Sequence, residues 1–403
     1  MSALKEHRKA AVILFISLFL VMVGFGIIIP ILPFYVLHYQ GNALTLGLLM
    51  STYSVMQFIF APVWGKLSDR IGRRPILLIG LGGYGISFII FGLANHLWML
   101  FAARIISGIL SSATLPTAMA YIADITTPED RSKGIGLMGA AMGAGIIVGP
   151  GLGGIVGHYS LAMPFFVAGG LAFLTLPWAY FLLPESKSSH DRSAPGDNQG
   201  LSLAMLHHPQ FPLFAATLVV SFTMAMFEGT FALFAADRVG FGPRDMGVLF
   251  TIIGVLGVVV QSCLLWRIIN LFGDAAVITG SLLISAVGLF CMMQSTSVFS
   301  LWIYTAIFSV GNTCLRPSLS TLISKTSSTG QGASMGVMQS FDSLGRIAGP
   351  VFGGWTYGLS RNSPFFIAAC MLVSTLLFLR ARLILYEKMA NSEAQSSQSI
   401  QEA

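Results

Sequence analysis

Long apolar runs broken at short intervals by polar clusters dominate this chain. Runs of about 20 residues, the helical length that crosses a hydrocarbon core, fall at roughly 10–36, 44–64, 75–94, 98–121, 134–157 and 162–183. Six more fall near 211–236, 245–266, 275–293, 297–323, 332–357 and 363–386. The alternation expected of barrel strands is absent, and recurring Gly residues let helix backbones approach closely. The pattern predicts an all-α membrane protein with twelve transmembrane helices. Between the sixth and seventh runs, 184–209 turns polar (ESKSSHDRSAPGDNQG) and reads as a flexible linker. The stretch 387–403 (EKMANSEAQSSQSIQEA) reads as a disordered tail. Two six-helix halves result, 1–183 and 210–386.

The halves repeat at an offset of 200 residues. Gly136, Met138, Gly145, Gly149, Pro150, Gly153 and Gly154 return as Gly336, Met338, Gly345, Gly349, Pro350, Gly353 and Gly354. Pro164-Phe165-Phe166 returns as Pro364-Phe365-Phe366, and Gly47 as Gly247. Internal repeats of this size are a building principle of membrane transporters. The exceptions place polar chemistry in the second half, where Glu228, Asp342 and Arg346 stand opposite Ile28, Met142 and Ile146. Conversely, the charged stretch GKLSDRIGRRP (65–75) faces LWRIINLFGDA (265–275), a counterpart that reads as decayed.

Composition narrows the setting. With 55% apolar residues, 9% charged and a mean hydropathy of +0.78, the chain cannot be a soluble globule. Of its 22 cations, 16 fall in segments on one side if both termini are cytoplasmic, three in outer loops (Arg238, Arg244, Arg361) and three within helices (Arg104, Arg316, Arg346). Loops retained inside carry the excess of Lys and Arg, so this topology is expected, and the net charge of +6 reflects it rather than nucleic-acid binding. The N-terminal Lys5 to Lys9 precedes an apolar run with no small-residue cleavage site, which reads as an uncleaved first span. Cys263, Cys291, Cys314 and Cys370 are scattered singly, and the seven His lie in loops or tails, so neither pattern suggests a metal site or disulfide framework. No GxxxxGK[ST] phosphate loop occurs, leaving a transmembrane gradient as the expected energy supply and no cofactor. Such a gradient supplies about 2.3 kcal/mol per charge at 100 mV.

Four features carry candidate chemistry. In GKLSDRIGRRP, Gly65 and Gly72 permit a tight turn, while Asp69 can meet a helix N-terminus or the neighbouring Arg70, Arg73 and Arg74, latching one conformation. In GP-x-x-GG (Gly149, Pro150, Gly153, Gly154), Pro removes a backbone hydrogen bond and Gly opens a packing groove, a mechanical role. Glu228 sits in SFTMAMFEGTFALF with no cation three or four residues away. An isolated intramembrane carboxyl is costly as an anion and is a default functional candidate. Asp342 is followed at i+4 by Arg346, which points to a structural or gating ion pair. Arg104 is either a snorkelling cation or a working one, and Arg316, before Pro317, can bind freed carbonyls or pair with an acid such as Asp342.

The GKLSDRIGRRP loop resembles the signature between helices 2 and 3 of the major facilitator superfamily, secondary transporters of two six-helix halves. Leu100 to Gly108 resembles that family's helix 4 motif, and GIIVGPGLGG (145–154) its helix 5 antiporter motif. IIIPILPFY (27–35), Gln57, PTAMAYIAD (116–124), FEGTFALFAADRVGF (227–241) and Leu315-Arg316-Pro317 are similar to bacterial quinolone and multidrug efflux pumps of the drug:proton antiporter group.

The resemblance implies proton-coupled antiport of drugs or other amphipathic, cationic compounds out of a bacterial cell by alternating access, with no enzymatic chemistry. The alternative within transport is export of an endogenous metabolite or one antibiotic class such as tetracycline. The resemblance implies that Glu228 couples protons and binds substrate, and gives Arg104 a place in a proton relay, with Asp342 a further candidate. Phe222, Met226, Phe227, Phe231, Tyr35, Gln57 and Arg316 are candidates for substrate contact, and the Gly145–Gly154 motif for conformational exchange. Expected partners are protons, a small-molecule substrate and the plasma-membrane bilayer, with the chain acting as a monomer. Thr313, which stands where similar pumps carry an acid, and Asp342, where they are uncharged, depart from the pattern.

Overall fold

A computed structural model describes residues 8–186, 209–327 and 331–402. Its helices are α1 (Arg8–His38), α2 (Ala43–Ile71), α3 (Arg73–Gly92), α4 (Leu97–Ser111 and Thr114–Ile125), α5 (Pro128–Tyr159) and α6 (Met163–Leu182). There follow α7 (Phe211–Val239), α8 (Pro243–Val259, continuing through a π turn Val260–Leu264 to 272), α9 (274–292), α10 (Val298–Lys325), α11 (Gln331–Leu359) and α12 (Ser363–Glu402). No strand occurs among the described residues.

Among the described residues, ten helical runs are long and apolar enough to cross a membrane, and one of them, Pro243–Met292, is two spans. It breaks at Gly273, whose φ of 82° and ψ of 164° are not helical. The remaining helix, α11, is as long as the others but carries Gln339, Ser340, Asp342, Ser343 and Arg346, which lower its hydropathy. The described helices thus make the twelve expected spans of a multi-pass membrane protein. The interruption of α4 at 112–113 follows from Pro116, which cannot donate to the carbonyl of Ser112. Two expectations fall differently. Most of the linker lies outside the described residues, and α12 runs on to Glu402 where a disordered tail is expected. That tail draws nine of its 17 residues from Glu, Ala and Gln, strong helix formers, and lacks Gly and Pro.

The chain divides into two compact units, Met1–Asp197 with Phe241–Gly254, and Asn198–Gly240 with Val255–Ala403. The first thus takes the beginning of α8, which the sequence repeat assigns to the second half. The cause is a glycine crossing: a Cβ on Gly154 would lie 2.7 Å from the Gly247 Cα and 2.8 Å from the Pro243 carbonyl oxygen. Only hydrogen side chains allow α5 and α8 to approach this closely.

Within each unit the repeat has the same physical use. In the first, Gly145 and Gly149 lay α5 against α1: a Cβ on Gly149 would stand 2.4 Å from the Val23 carbonyl oxygen. In the second, a Cβ on Gly349 would stand 2.5 Å from the Phe222 carbonyl oxygen of α7. The repeated Pro-Phe pair anchors both cores. Phe165 stacks on Phe91 at 5.1 Å and on Tyr35 at 5.2 Å, while Phe365 meets Phe234 at 4.6 Å.

Candidate functional site

The intramembrane charges of the second unit gather on three helices. Ser221 and Glu228 are seven residues apart on α7 and therefore share one face two turns apart. On α11, Gln339, Asp342 and Arg346 follow helical spacing, and α10 supplies Arg316. Asp342 is 3% exposed. Its carboxylate accepts from the Ser221 hydroxyl, from the Arg316 guanidinium at 3.1 Å and from the Gln339 amide at 3.4 Å. The i+4 pair with Arg346 expected from sequence is not formed. Its neighbour on α10 takes the ion pair instead: Arg316 crosses to Asp342, while Arg346 is half-buried. The charges that act on Glu228 most strongly are those of Arg346 and Asp342.

Glu228 itself is half-buried and makes no hydrogen bond or ion pair among the described residues. The two carboxyls therefore differ in kind. Asp342 is held by three donors, whereas Glu228 has a cation nearby and no fixed partner. Glu228 is thus a carboxyl within a span that no fixed donor holds among the described residues.

The aromatic candidates around Glu228 divide. Met226, Phe227 and Phe231 are all at most 3% exposed and fill the unit's interior. Phe227 packs on Phe231 and Phe308, each at 4.6 Å between ring centres, and Met226 lies over Gly353. Phe222 is half-buried, 5.6 Å from Phe352. The structure therefore brings Phe222 and Glu228 to accessible positions and places the other three in the core.

In the first unit, Arg104 is 4% exposed, its Nε has no hydrogen-bond partner, and no ion pair involves it among the described residues. Its guanidinium lies 5.5 Å from the ring centres of both Tyr53 and Phe91. It does not snorkel. A cation held on two π faces, with a donor unspent, is expensive to bury and so remains a functional candidate. Tyr35 is fixed by its hydroxyl to the Phe91 carbonyl at 2.9 Å. Gln57 is half-buried on α2.

The GKLSDRIGRRP loop forms a charged cluster within the first unit. Gly72, with a φ of 118°, breaks the chain between α2 and α3. Arg73 is 7% exposed and meets Asp69 at 2.8 Å, Asp124 at 3.0 Å and the Ser68 hydroxyl at 2.7 Å. The start of α3 is served by Glu185, which accepts from the amides of Arg73 at 2.7 Å and Arg74 at 3.2 Å. The helix N-terminus offered to Asp69 by the sequence thus goes to Glu185. Arg74 turns outward onto Tyr180, 5.1 Å from its ring centre. Gly65 has open space beside it, and Arg70 sits in the last turn of α2.

The stretch read as decayed is present in altered form. Gly273 repeats the backbone break of Gly72 at an offset of 201, and Asp274 pairs with Lys325 at 2.6 Å. Asp274 and Lys325 stand 201 residues after Arg73 and Asp124, so the pair survives with its charges exchanged. Sequence reasoning missed Ser221, Gln339, Asp124, Glu185, Asp274 and Lys325 as site residues. Available signals were the i+7 spacing from Glu228, the acid closing PTAMAYIAD, the acid directly after the sixth span, and a one-residue shift in the repeat.

Comparison with known proteins places this geometry. Multidrug resistance protein 2 of Bacillus subtilis is 30% identical over 379 residues, covering 92% of this chain and 94% of that protein. Quinolone resistance protein NorA of Staphylococcus aureus is 29% identical over 90% of this chain and 93% of its own. Among solved structures, the peptide transporter POT matches with a TM-score of 0.78 at 14% identity over 94% of this chain and 95% of that one, a likeness of fold. The Major Facilitator Superfamily profile matches residues 14–269 and 262–399. The chain therefore belongs to the Major Facilitator Superfamily and is a membrane transporter rather than an enzyme.

Proposed function

We propose that this protein exports amphipathic, cationic drugs from the cell in exchange for protons, by alternating access. Similarity to proteins named for multidrug and quinolone resistance, over nine-tenths of the chain, supports the substrate class. The single observation that carries the proton site is the contrast between Glu228, without a fixed partner, and Asp342, held by Arg316, Ser221 and Gln339. Proton and drug cation compete for the Glu228 carboxyl, so release of one accompanies binding of the other. Arg104 is the second exchanging group, its unspent donor available to a transient partner.

The cluster of Lys66, Arg70, Arg73 and Arg74 where α2 meets α3 supports an orientation with this turn in the cytoplasm. The test of export is a susceptibility and dye-efflux panel in a host deleted for its own pumps. Expression is expected to raise tolerance to several unrelated cationic compounds and to drive energised dye efflux that a protonophore stops. Tolerance to one antibiotic alone, or to none, would sink the multidrug reading.

A further inference from the structure

Two of the three cations expected in outer loops, Arg238 and Arg361, meet at one corner of the second unit, where the end of α7, the end of α9 and the α11–α12 turn converge. Their situations differ. Arg361 is neutralised by Asp237 at 3.2 Å, which also accepts from the Tyr357 hydroxyl at 2.6 Å. Arg238 donates only to neutral oxygens, that of Asn362 at 2.8 Å and the Met293 carbonyl at 3.3 Å, and lies 5.4 Å from the Phe234 ring centre. Its charge has no counter-ion among the described residues.

Arg238 borders a recess of about 710 Å³ whose rim also carries Gln294, Ser360, Asn362 and Ser363, a set of uncharged hydrogen-bonding groups around one cation. At Phe366 and Ile367 this recess joins a second, of about 340 Å³, lined by Val219 of α7 and by Cys370, Met371, Ser374 and Thr375 of α12. Together they make one groove, polar and cationic at the helix ends and largely apolar farther along α12. From Ser363 to Thr375 the rise is about 18 Å at 1.5 Å per residue. That is close to the roughly 15 Å of one leaflet's hydrocarbon.

We infer that this groove binds one anionic phospholipid, its phosphate on Arg238 and one acyl chain along α12. Charge complementarity selects the occupant: a guanidinium fork with spare donors matches phosphate oxygens, and basic recesses between membrane helices recognise lipid head groups. The apolar continuation matches a chain attached to that phosphate and has no use for a free ion. With the orientation proposed above, the lipid belongs to the outer leaflet.

The test is native mass spectrometry of the full chain released from detergent with added palmitoyl-oleoyl phosphatidylglycerol, each protein first checked by thermal melting. Wild type is expected to retain one phosphatidylglycerol in preference to phosphatidylcholine. Arg238→Gln is expected to weaken retention about tenfold or more, the loss of a charge-assisted bond, and Arg238→Lys to weaken it less. Ser374→Trp, which fills the groove without altering charge, is expected to weaken it as well. Equal retention by wild type, Arg238→Gln and Ser374→Trp would overturn the inference, as would equal binding of phosphatidylcholine. Binding of inorganic phosphate that persists in Ser374→Trp while lipid fails to bind wild type would overturn it too.

Discussion

The two units carry the same turn with opposite charges, and helix dipoles make the two versions unequal. In the second unit, Asp274 opens α9 and Lys325 closes α10. An anion at a helix N-terminus and a cation at a C-terminus each gain about 0.3–1 kcal/mol from the dipole. In the first unit the buried cation Arg73 opens α3 and Asp124 lies at the end of α4, so both run against the dipoles. That arrangement holds only with added ligands: Asp69 and Ser68 on Arg73, and Glu185 on the α3 amides. A pair favoured by its helices behaves as a strut. One opposed by them and assembled from four segments is suited to open and close. From this comparison we propose that the first unit's cluster is the gate and the second unit's pair a fixed brace.

The largest effect tests whether the units are built alike. Gly149→Val and Gly349→Val each drive a side chain into a backbone carbonyl, 2.4 Å and 2.5 Å from where a Cβ would sit. Both are expected to cost about 3 kcal/mol or more, seen as loss of a monodisperse folded peak in fluorescence-detected size exclusion. Tolerance of one and not the other would break the equivalence of the α1–α5 and α7–α11 grooves.

A smaller effect tests the dipole argument itself. Asp274→Arg combined with Lys325→Asp gives the second unit the polarity of the first without its supporting acids. The pair re-forms, yet the double variant is expected to be less stable than wild type by about 1–2 kcal/mol, read as a lowered melting temperature. An unchanged melting temperature would show that polarity is immaterial and remove the distinction between gate and brace.

The spans were legible because a bilayer demands long apolar helices, and the groove glycines because they recur with Pro at fixed spacing. Exceptions had local causes: α11 hides its membrane character behind Gln339, Asp342 and Arg346. The ion pairs were less legible because sequence gives only neighbours along one helix. It offered Arg346 to Asp342, whereas the partner, Arg316, comes from an adjacent helix. Phe227 and Phe231 were drawn toward Glu228 by proximity in sequence, but helical rotation turns them into the core. A strict offset of 200 hid Asp274 and Lys325, since one inserted residue shifts the register and the charges are reversed.

The smallest change to stability carries the central claim. Glu228→Gln removes a carboxyl that makes no hydrogen bond or ion pair among the described residues, so folding and melting are expected to stay close to wild type. Proton release on adding a transported cation is measured with a pH-sensitive dye on purified protein in weakly buffered detergent. Wild type is expected to release protons as the cation binds, and Glu228→Gln to release none under the same conditions. Undiminished proton release from Glu228→Gln would contradict the account and move the exchange site elsewhere.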